Sequence, residues 1–264
     1  MKAIILAAGQ GTRLAPLTDD RPKCLVPLAG HPLLEYQLWA LDQVGVSEIY
    51  LVGGYRKDQL ERWGHPVLPN PDYASTNMVA SLFCARSQLH GQEDVLIAYA
   101  DLVYEPRVLE TVRQSDAPLV LGIDRCWRDY WQIRMDDPLA DAETLKLRDG
   151  LIVELGKKPR DYSEIEGQYM GLIKVRADHL EAFCRAYDGL DRQARYDGRD
   201  FDNMFMTSFL QHLIDSGWQV AAAPVDNGWL EVDSVQDLDN YHALLEKGEL
   251  ARFYDSPLLR RPTR

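Results

Sequence analysis

The opening stretch of the chain constrains its fold more than any other. Met1-Lys2-Ala3-Ile4-Ile5-Leu6-Ala7-Ala8-Gly9-Gln10-Gly11-Thr12-Arg13-Leu14 reads as a buried strand that runs straight into a glycine loop ending in a cation. Ala3 to Leu6 is an unbroken apolar run, the pattern of a strand covered on both faces of a parallel sheet. Ala7, Ala8, Gly9 and Gly11 then carry almost no side chain. Backbone N–H groups can come close to a ligand there, and glycine can take the positive φ such a turn needs. Exposed N–H groups followed by Arg13, with further cations in Arg21-Pro22-Lys23, suit phosphate oxygens. A dinucleotide fingerprint fits less well, because its third glycine would fall at Leu14.

Strand and helix patterns alternate after this loop. Strands are expected at 48–52, 67–68, 94–100 and 118–123, with helices at 32–44, 77–86 and 106–114 and a short helix or turn at 57–63. Ser75 or Thr76 is placed to cap the 77–86 helix. Such alternation with short connections implies an α/β doubly wound sheet, whose ligands sit at the C-terminal ends of strands. Gly9, Gly53, Gly54 and Asp101 fall at such ends. From Trp131 the texture changes. Residues 132–135, 145–147, 151–155 and 169–175 read as strands without full helices between them. That suggests a small antiparallel β insertion, roughly 126–175, forming the acceptor side of a site. Helices return at 177–186 and 204–216, a strand at 220–223, and Ser234 caps a last helix. A single domain over 1–255 is expected, followed by a loosely ordered basic tail at 256–264.

Charge excludes one class of partner. The net charge of −12 lacks the basic footprint of nucleic-acid binding, although a few placed cations and a metal suffice for a nucleotide. Cys24, Cys84, Cys126 and Cys184 form no CxxC pair and read as reduced thiols of a cytoplasmic protein. The first residues lack the basic start of a signal peptide, and no run reaches the roughly 20 apolar residues of a membrane span.

The run Leu6 to Arg13, followed by Lys23 in Arg21-Pro22-Lys23, resembles the signature of the nucleotidyltransferase family that makes sugar nucleotides and CDP-alcohols. Residues 25–33, Asp101, Gly156-Lys157-Lys158-Pro159, Gly171 and Glu231-Val232-Asp233 extend the resemblance over nearly the whole chain. It implies a Rossmann-like α/β fold, an NTP substrate, Mg2+, and attack of a phosphate or phosphonate on the α-phosphorus with release of pyrophosphate. In-line displacement between two anions needs positioning and charge absorption rather than a protein nucleophile. Arg13, with its fork of donors, suits the β and γ oxygens, and Lys23 can reach the α-phosphate.

The resemblance also distributes roles. The nucleotide is expected at Leu6, Ala7, Ala8, Gly9, Gly11, Thr12, Arg13, Lys23, Gly53, Asn77, Ser81 and Ala100. Asp101 and Asp233 are the expected Mg2+ ligands, although Ala100 stands where the family commonly has glycine. Lys158, with Lys157 as an alternative, falls at the acceptor-phosphate lysine. The segment Asn70, Tyr73, Ser75 to Met78 and Ser81 resembles the cytidylyltransferase branch typified by bacterial CTP:phosphocholine cytidylyltransferases, with Asn77 toward the base. Trp131, Gln168, Tyr169 and Glu231 are the expected acceptor contacts; Trp127, Tyr130 and Trp229 are further aromatic candidates, and Asp129, Asp136 and Glu143 acidic ones. The expected partners are CTP and a small phosphorylated or phosphonylated alcohol, amine or amide, with a homodimer as a candidate assembly. A sugar-1-phosphate uridylyl- or thymidylyltransferase is the alternative.

Overall fold

The first strand, β1 (Lys2–Ala7), is buried along its whole length, and its alternate residues feed two different cores. Ala3, Ile5 and Ala7 face one side of the sheet and Ile4 and Leu6 the other, as the two-residue period of a strand requires. Burying Ile4 and Ile5 completely contributes about 1.5–3 kcal/mol each. The computed structural model describes residues 1–260.

A short hairpin, β2 (Pro27–Leu28) and β3 (His31–Pro32), leads into α1 (Leu33–Gln43). The chain continues through β4 (Ile49–Gly53), α2 (Lys57–Leu60), β5 (Val67–Pro69), α3 (Met78–Cys84), β6 (Val95–Tyr99), β7 (Leu102–Tyr104), α4 (Pro106–Gln114) and β8 (Leu119–Asp124). Two helices follow, α5 (Trp127–Arg134) and α6 (Pro138–Asp141), then β9 (Leu145–Arg148), β10 (Leu151–Leu155) and β11 (Gln168–Val175). The last elements are α7 (Leu180–Asp188), α8 (Met206–Asp215), β12 (Val220–Val225), β13 (Trp229–Glu231) and α9 (Val235–Glu246).

Nine strands form one sheet in the order β5-β4-β1-β6-β11-β8-β12-β10-β9. The β5-β4-β1-β6 half is parallel, and β8 pairs parallel with β12. Helices α1, α4, α5 and α9 cover one face, and α3, α7 and α8 the other. This is the doubly wound mixed α/β sheet that the alternation implies.

The second half departs from expectation in particulars. The antiparallel strands of 126–175 join the main sheet. Strand β11 enters its centre, antiparallel to β6 and β8, while the β9–β10 hairpin extends its edge. With sheet neighbours on both sides and helices on both faces, β11 is buried at every position except half-buried Tyr169, even at the polar Gln168 and Lys174. Residues 132–134 belong to helix α5, not to a strand, and Met135 is its extended C-cap. Trp127, Tyr130, Trp131 and Arg134 recur at three- and four-residue spacing and are all buried, so they form one helical face. The cap of α3 is Asn77 rather than Ser75 or Thr76, with its Oδ1 accepting from Met78 N. Residues 257–260 of the expected loose tail form a 3-10 turn that buries Leu258; residues 261–264 lie outside the described residues.

Candidate active site

The loop after β1 is shaped by what must pass beside it. Gly9 and Gln10 are exposed, and Gly11 turns the chain at φ +72°. A Cβ on Gly11 would lie 2.9 Å from both Cβ and Cγ of Lys23, so glycine is needed for the turn and for the lysine stem that crosses it. Leu6, Ala7, Ala8 and Ala100 are buried and support the loop from below. Gly53 and Gly54 serve packing. A Cβ on Gly54 would meet Ala8 O at 2.6 Å, and one on Gly53 would meet Val67 Cγ1 at 2.8 Å.

A second pairing sets the acidic residues. Strand β13 pairs antiparallel with β7, with Glu231 opposite Leu102, and Val232 N donates to Asp101 O at 2.9 Å. Asp101 and Asp233 thereby become neighbours. One carboxylate oxygen from each of Asp101, Glu231 and Asp233 lies within 4.8 Å of the others. Lys23 Nζ stands 2.6 Å from Asp101 Oδ2 and also donates to Asp233 Oδ1, while Arg13 Nη2 lies 3.0 Å from Asp233 Oδ1. Asp101 Oδ1 is buried with no hydrogen-bond partner. An all-oxygen, anionic donor set with an unsatisfied buried oxygen fits a hard divalent cation such as Mg2+.

Arg134 supports this cluster from behind. Its side chain is 1% exposed and forks to Glu231 Oε2 at 2.6 Å, Asp233 Oδ2 at 3.4 Å and Asp237 Oδ1 at 3.0 Å. The rings of Tyr130 and Trp131 lie 5.5 and 5.4 Å from its guanidinium carbon. Asp237 in turn accepts from Asp233 N, Ser234 N and Ser234 Oγ, which closes the capping box of α9. The Glu231 backbone is held between two phenols: Tyr130 Oη accepts from Glu231 N at 2.6 Å, and Tyr241 Oη donates to Glu231 O at 2.7 Å. Burial raises the Glu231 carboxyl, with Asp233 and Asp101 adding to the effect against Arg134. For Asp233 burial acts the same way, but Lys23 and Arg13 outweigh it and hold the carboxyl low. Burial also opposes the Lys23 charge, yet Asp101, Asp233 and Glu231 together keep it firmly protonated.

Glu231 and Asp233 border a cavity of about 210 Å³ whose walls include Trp131, Tyr169, Phe205 and Trp229, with Glu143 and Gln168. Both tryptophan N–H groups are satisfied inside the protein, Trp131 by Asp141 Oδ2 at 3.1 Å and Trp229 by Asp124 Oδ2 at 2.9 Å. Neither indole N–H is left for a ligand. Gln168 is tied to the Glu143 backbone, donating to its carbonyl at 2.6 Å and accepting from its N–H at 3.2 Å. It shapes the wall rather than offering its amide.

Glu143, with Thr207 as a hydrogen-bond partner, also lines the cavity beside these rings. Burial, with Asp141 and Asp197 nearby, pushes its carboxyl up to about 7. The folded protein therefore keeps a proton here that the unfolded chain loses near 4.5. Stability falls as pH rises through that window, and the cost is complete above it. Glu143→Gln is expected to stabilise the protein by roughly 2 kcal/mol at about pH 8 and by almost nothing at about pH 4. Urea unfolding at both values checks this, and an equal effect at the two would contradict it.

Several expected site residues are employed elsewhere. Asn77 spends its side chain on the α3 cap and on Asn203 O at 3.4 Å, and Ser81 is buried against Asn70 Nδ2 at 2.9 Å. Asn77 Oδ1 is taken by the cap and Ser81 Oγ by Asn70, as helix capping and core polar satisfaction require. Lys157 pairs with Glu154 on the exposed side of β10, and Lys158 caps the carbonyls of Leu139 and Ala140 in α6; neither lines the cavity. Trp127 and Tyr130 are core, packed beneath Trp131. Thr12 is exposed beside Arg13 at the loop. Arg134 and Asp237 were absent from the expected set. The Ser234-x-x-Asp237 spacing is a legible capping signal, whereas nothing local marks Arg134 except its place on the buried face of α5.

Comparison with known proteins adds to this geometry. Residues 3–122 match the MobA-like NTP transferase domain. Over 248 residues the chain is 41% identical to CTP:phosphoglutamine cytidylyltransferase of Campylobacter jejuni, covering 90% of this chain and 98% of that protein. It is 30% identical over 257 residues to CMP-5'-(3-aminopropyl)phosphonate synthase of Streptomyces rubellomurinus, covering 90% of this chain but 37% of that one. Among solved structures, the inositol-1-phosphate CTP transferase from T. maritima superposes with a TM-score of 0.72 at 21% identity, over 97% of this chain and 98% of that one, and so shares the fold.

Proposed function

The chain belongs to the nucleotidyltransferase family that carries the MobA-like NTP transferase domain, and on that premise we propose that it transfers CMP from CTP to a small phosphorylated or phosphonylated acceptor bearing an amine or amide, with Mg2+ and release of pyrophosphate. The observation that carries this reading is the convergence of Arg13, Lys23, Asp101 and Asp233 in one ion cluster at the edge of the cavity. These are the groups a displacement between two polyanions requires.

In this reading an oxygen of the acceptor phosphate forms the new bond to the α-phosphorus, and the bond from that phosphorus to the bridging oxygen breaks as pyrophosphate leaves. The acceptor oxygen is already ionised, so no protein base is needed. Arg13, whose side chain is largely exposed on the loop, swings onto the β and γ oxygens. Lys23, whose stem lies against Gly11, meets the α-phosphate as charge develops there. Asp101 and Asp233 would hold Mg2+, which when bound neutralises phosphate charge. Trp131, Tyr169 and Trp229 exclude water from the acceptor's organic part, and Glu143 offers a carboxyl to a polar or cationic group on it. The acidic and aromatic lining supports an amine or amide more than a sugar hydroxyl array. The relatives that act on phosphoglutamine and an aminopropylphosphonate support the same class.

The test is pyrophosphate release with each NTP against a panel of a phosphorylated amide, an aminoalkylphosphonate, phosphocholine and hexose-1-phosphates. CTP is expected to exceed UTP and dTTP by at least about tenfold in kcat/KM with a non-sugar acceptor. Turnover confined to UTP or dTTP with a hexose-1-phosphate would sink the proposal.

A further inference from the structure

We infer that Lys23 and a divalent metal exclude one another between Asp101 and Asp233, so that metal is admitted only as a triphosphate draws Lys23 and Arg13 away. The inference rests on the metal reading of Asp101 and Asp233 given above. Lys23 Nζ lies 2.6 Å from Asp101 Oδ2 and also contacts Asp233 Oδ1. A cation ligated by the same two oxygens at about 2.1 Å would need that same space. Two positive centres that close repel strongly in a site with little water.

The cations around the cluster are of two kinds. Arg134 is 1% exposed, anchored to Asp237 and walled by Tyr130 and Trp131, so it stays in place. It neutralises Glu231 and Asp233 from the protein side. Arg13 and Lys23 belong to the phosphate loop and the segment beside it. The Arg13 side chain is 68% exposed and makes one contact to Asp233 at 3.0 Å. The Lys23 stem lies against Gly11 of the loop, so a ligand seated on that loop stands next to the ammonium. Triphosphate oxygens compete for both cations, and drawing both away bares Asp101 Oδ2 and Asp233 Oδ1. Asp101 Oδ1, buried without a partner, is the oxygen Lys23 leaves unsatisfied. The consequence is cooperative binding. Nucleotide raises the affinity for metal, and metal raises the affinity for nucleotide by the same factor.

The experiment uses Mn2+ as the probe, followed by electron paramagnetic resonance and calorimetry without nucleotide. Lys23→Met is expected to bind Mn2+ at least about tenfold more tightly than wild type, and adding Asp101→Asn to it is expected to abolish the gain. Equal Mn2+ affinity in wild type and Lys23→Met overturns the exclusion while leaving the metal site standing. Absence of Mn2+ binding in both proteins, with CTP present as well as without it, removes the metal reading and this inference together. A measurement on the unaltered protein guards against a misfolded variant. Wild-type crystals soaked in Mn2+ alone are expected to show no anomalous peak between Asp101 and Asp233, and a full peak there with Lys23 displaced would refute the inference.

Discussion

Asp101→Asn is expected to lower kcat by at least about a thousandfold while leaving the melting temperature within a few degrees of wild type. The substitution preserves the shape of the side chain and removes its charge. Three things depend on that charge. It anchors the Lys23 ammonium at 2.6 Å, it helps keep that lysine protonated against burial, and it supplies one oxygen of the Asp101, Glu231 and Asp233 set. The backbone of Asp101 stays paired to β13 through Val232 N, so the fold does not need the carboxylate. Pyrophosphate release and a thermal scan on the same preparation check both halves. Near-normal turnover in Mg2+ would refute the assignment.

Arg134→Met is expected to cost about 3–5 kcal/mol of stability and most of the activity as well. The reason is asymmetric: methionine fills much of the volume, but Glu231, Asp233 and Asp237 are left packed together without their shared cation. An uncompensated buried charge is more costly than a buried pair is favourable. In a chain of this length the loss corresponds to a fall of about 10 °C in melting temperature. Arg134→Lys is expected to recover only part of it, because one ammonium cannot reproduce the fork to three carboxylates. Denaturant unfolding checks the prediction, and a loss below about 1 kcal/mol for the methionine variant would show that water or protonation compensates the cluster.

The two predictions differ in how far they could be read from the chain. Asp101 and Asp233 are visible as acids at predicted strand ends beside a phosphate loop, and Arg13 and Lys23 belong to that loop's own motif. Arg134 sits in a stretch whose aromatic and polar residues suit a strand if read four at a time. Only over eight residues does the spacing of Trp127, Tyr130, Trp131 and Arg134 declare a helical face. Asn77, Ser81, Lys157 and Lys158 lie outside the cavity lining for a related reason. A polar residue's type shows which bonds it can make, and its neighbours in space decide which it does make. Asn77 met a helix N-terminus, Ser81 met Asn70, and Lys158 met the open carbonyls of α6.

What the sequence determines by itself is local. The apolar run and small residues of the opening stretch dictate a buried strand followed by a loop that glycine turns readily at Gly11, since both follow from side-chain size and backbone sterics within a few residues. The alternation of strand and helix patterns likewise determines the doubly wound class. Tertiary structure alone decides which distant groups meet. The pairing of β13 with β7 brings Asp233 beside Asp101, the burial of α5 brings Arg134 onto Glu231 and Asp233, and the insertion of β11 into the sheet carries Gln168 and Tyr169 to the cavity wall. These contacts join residues far apart in the chain, and their energies come from burial and charge pairing that no single segment possesses until the whole sheet is assembled.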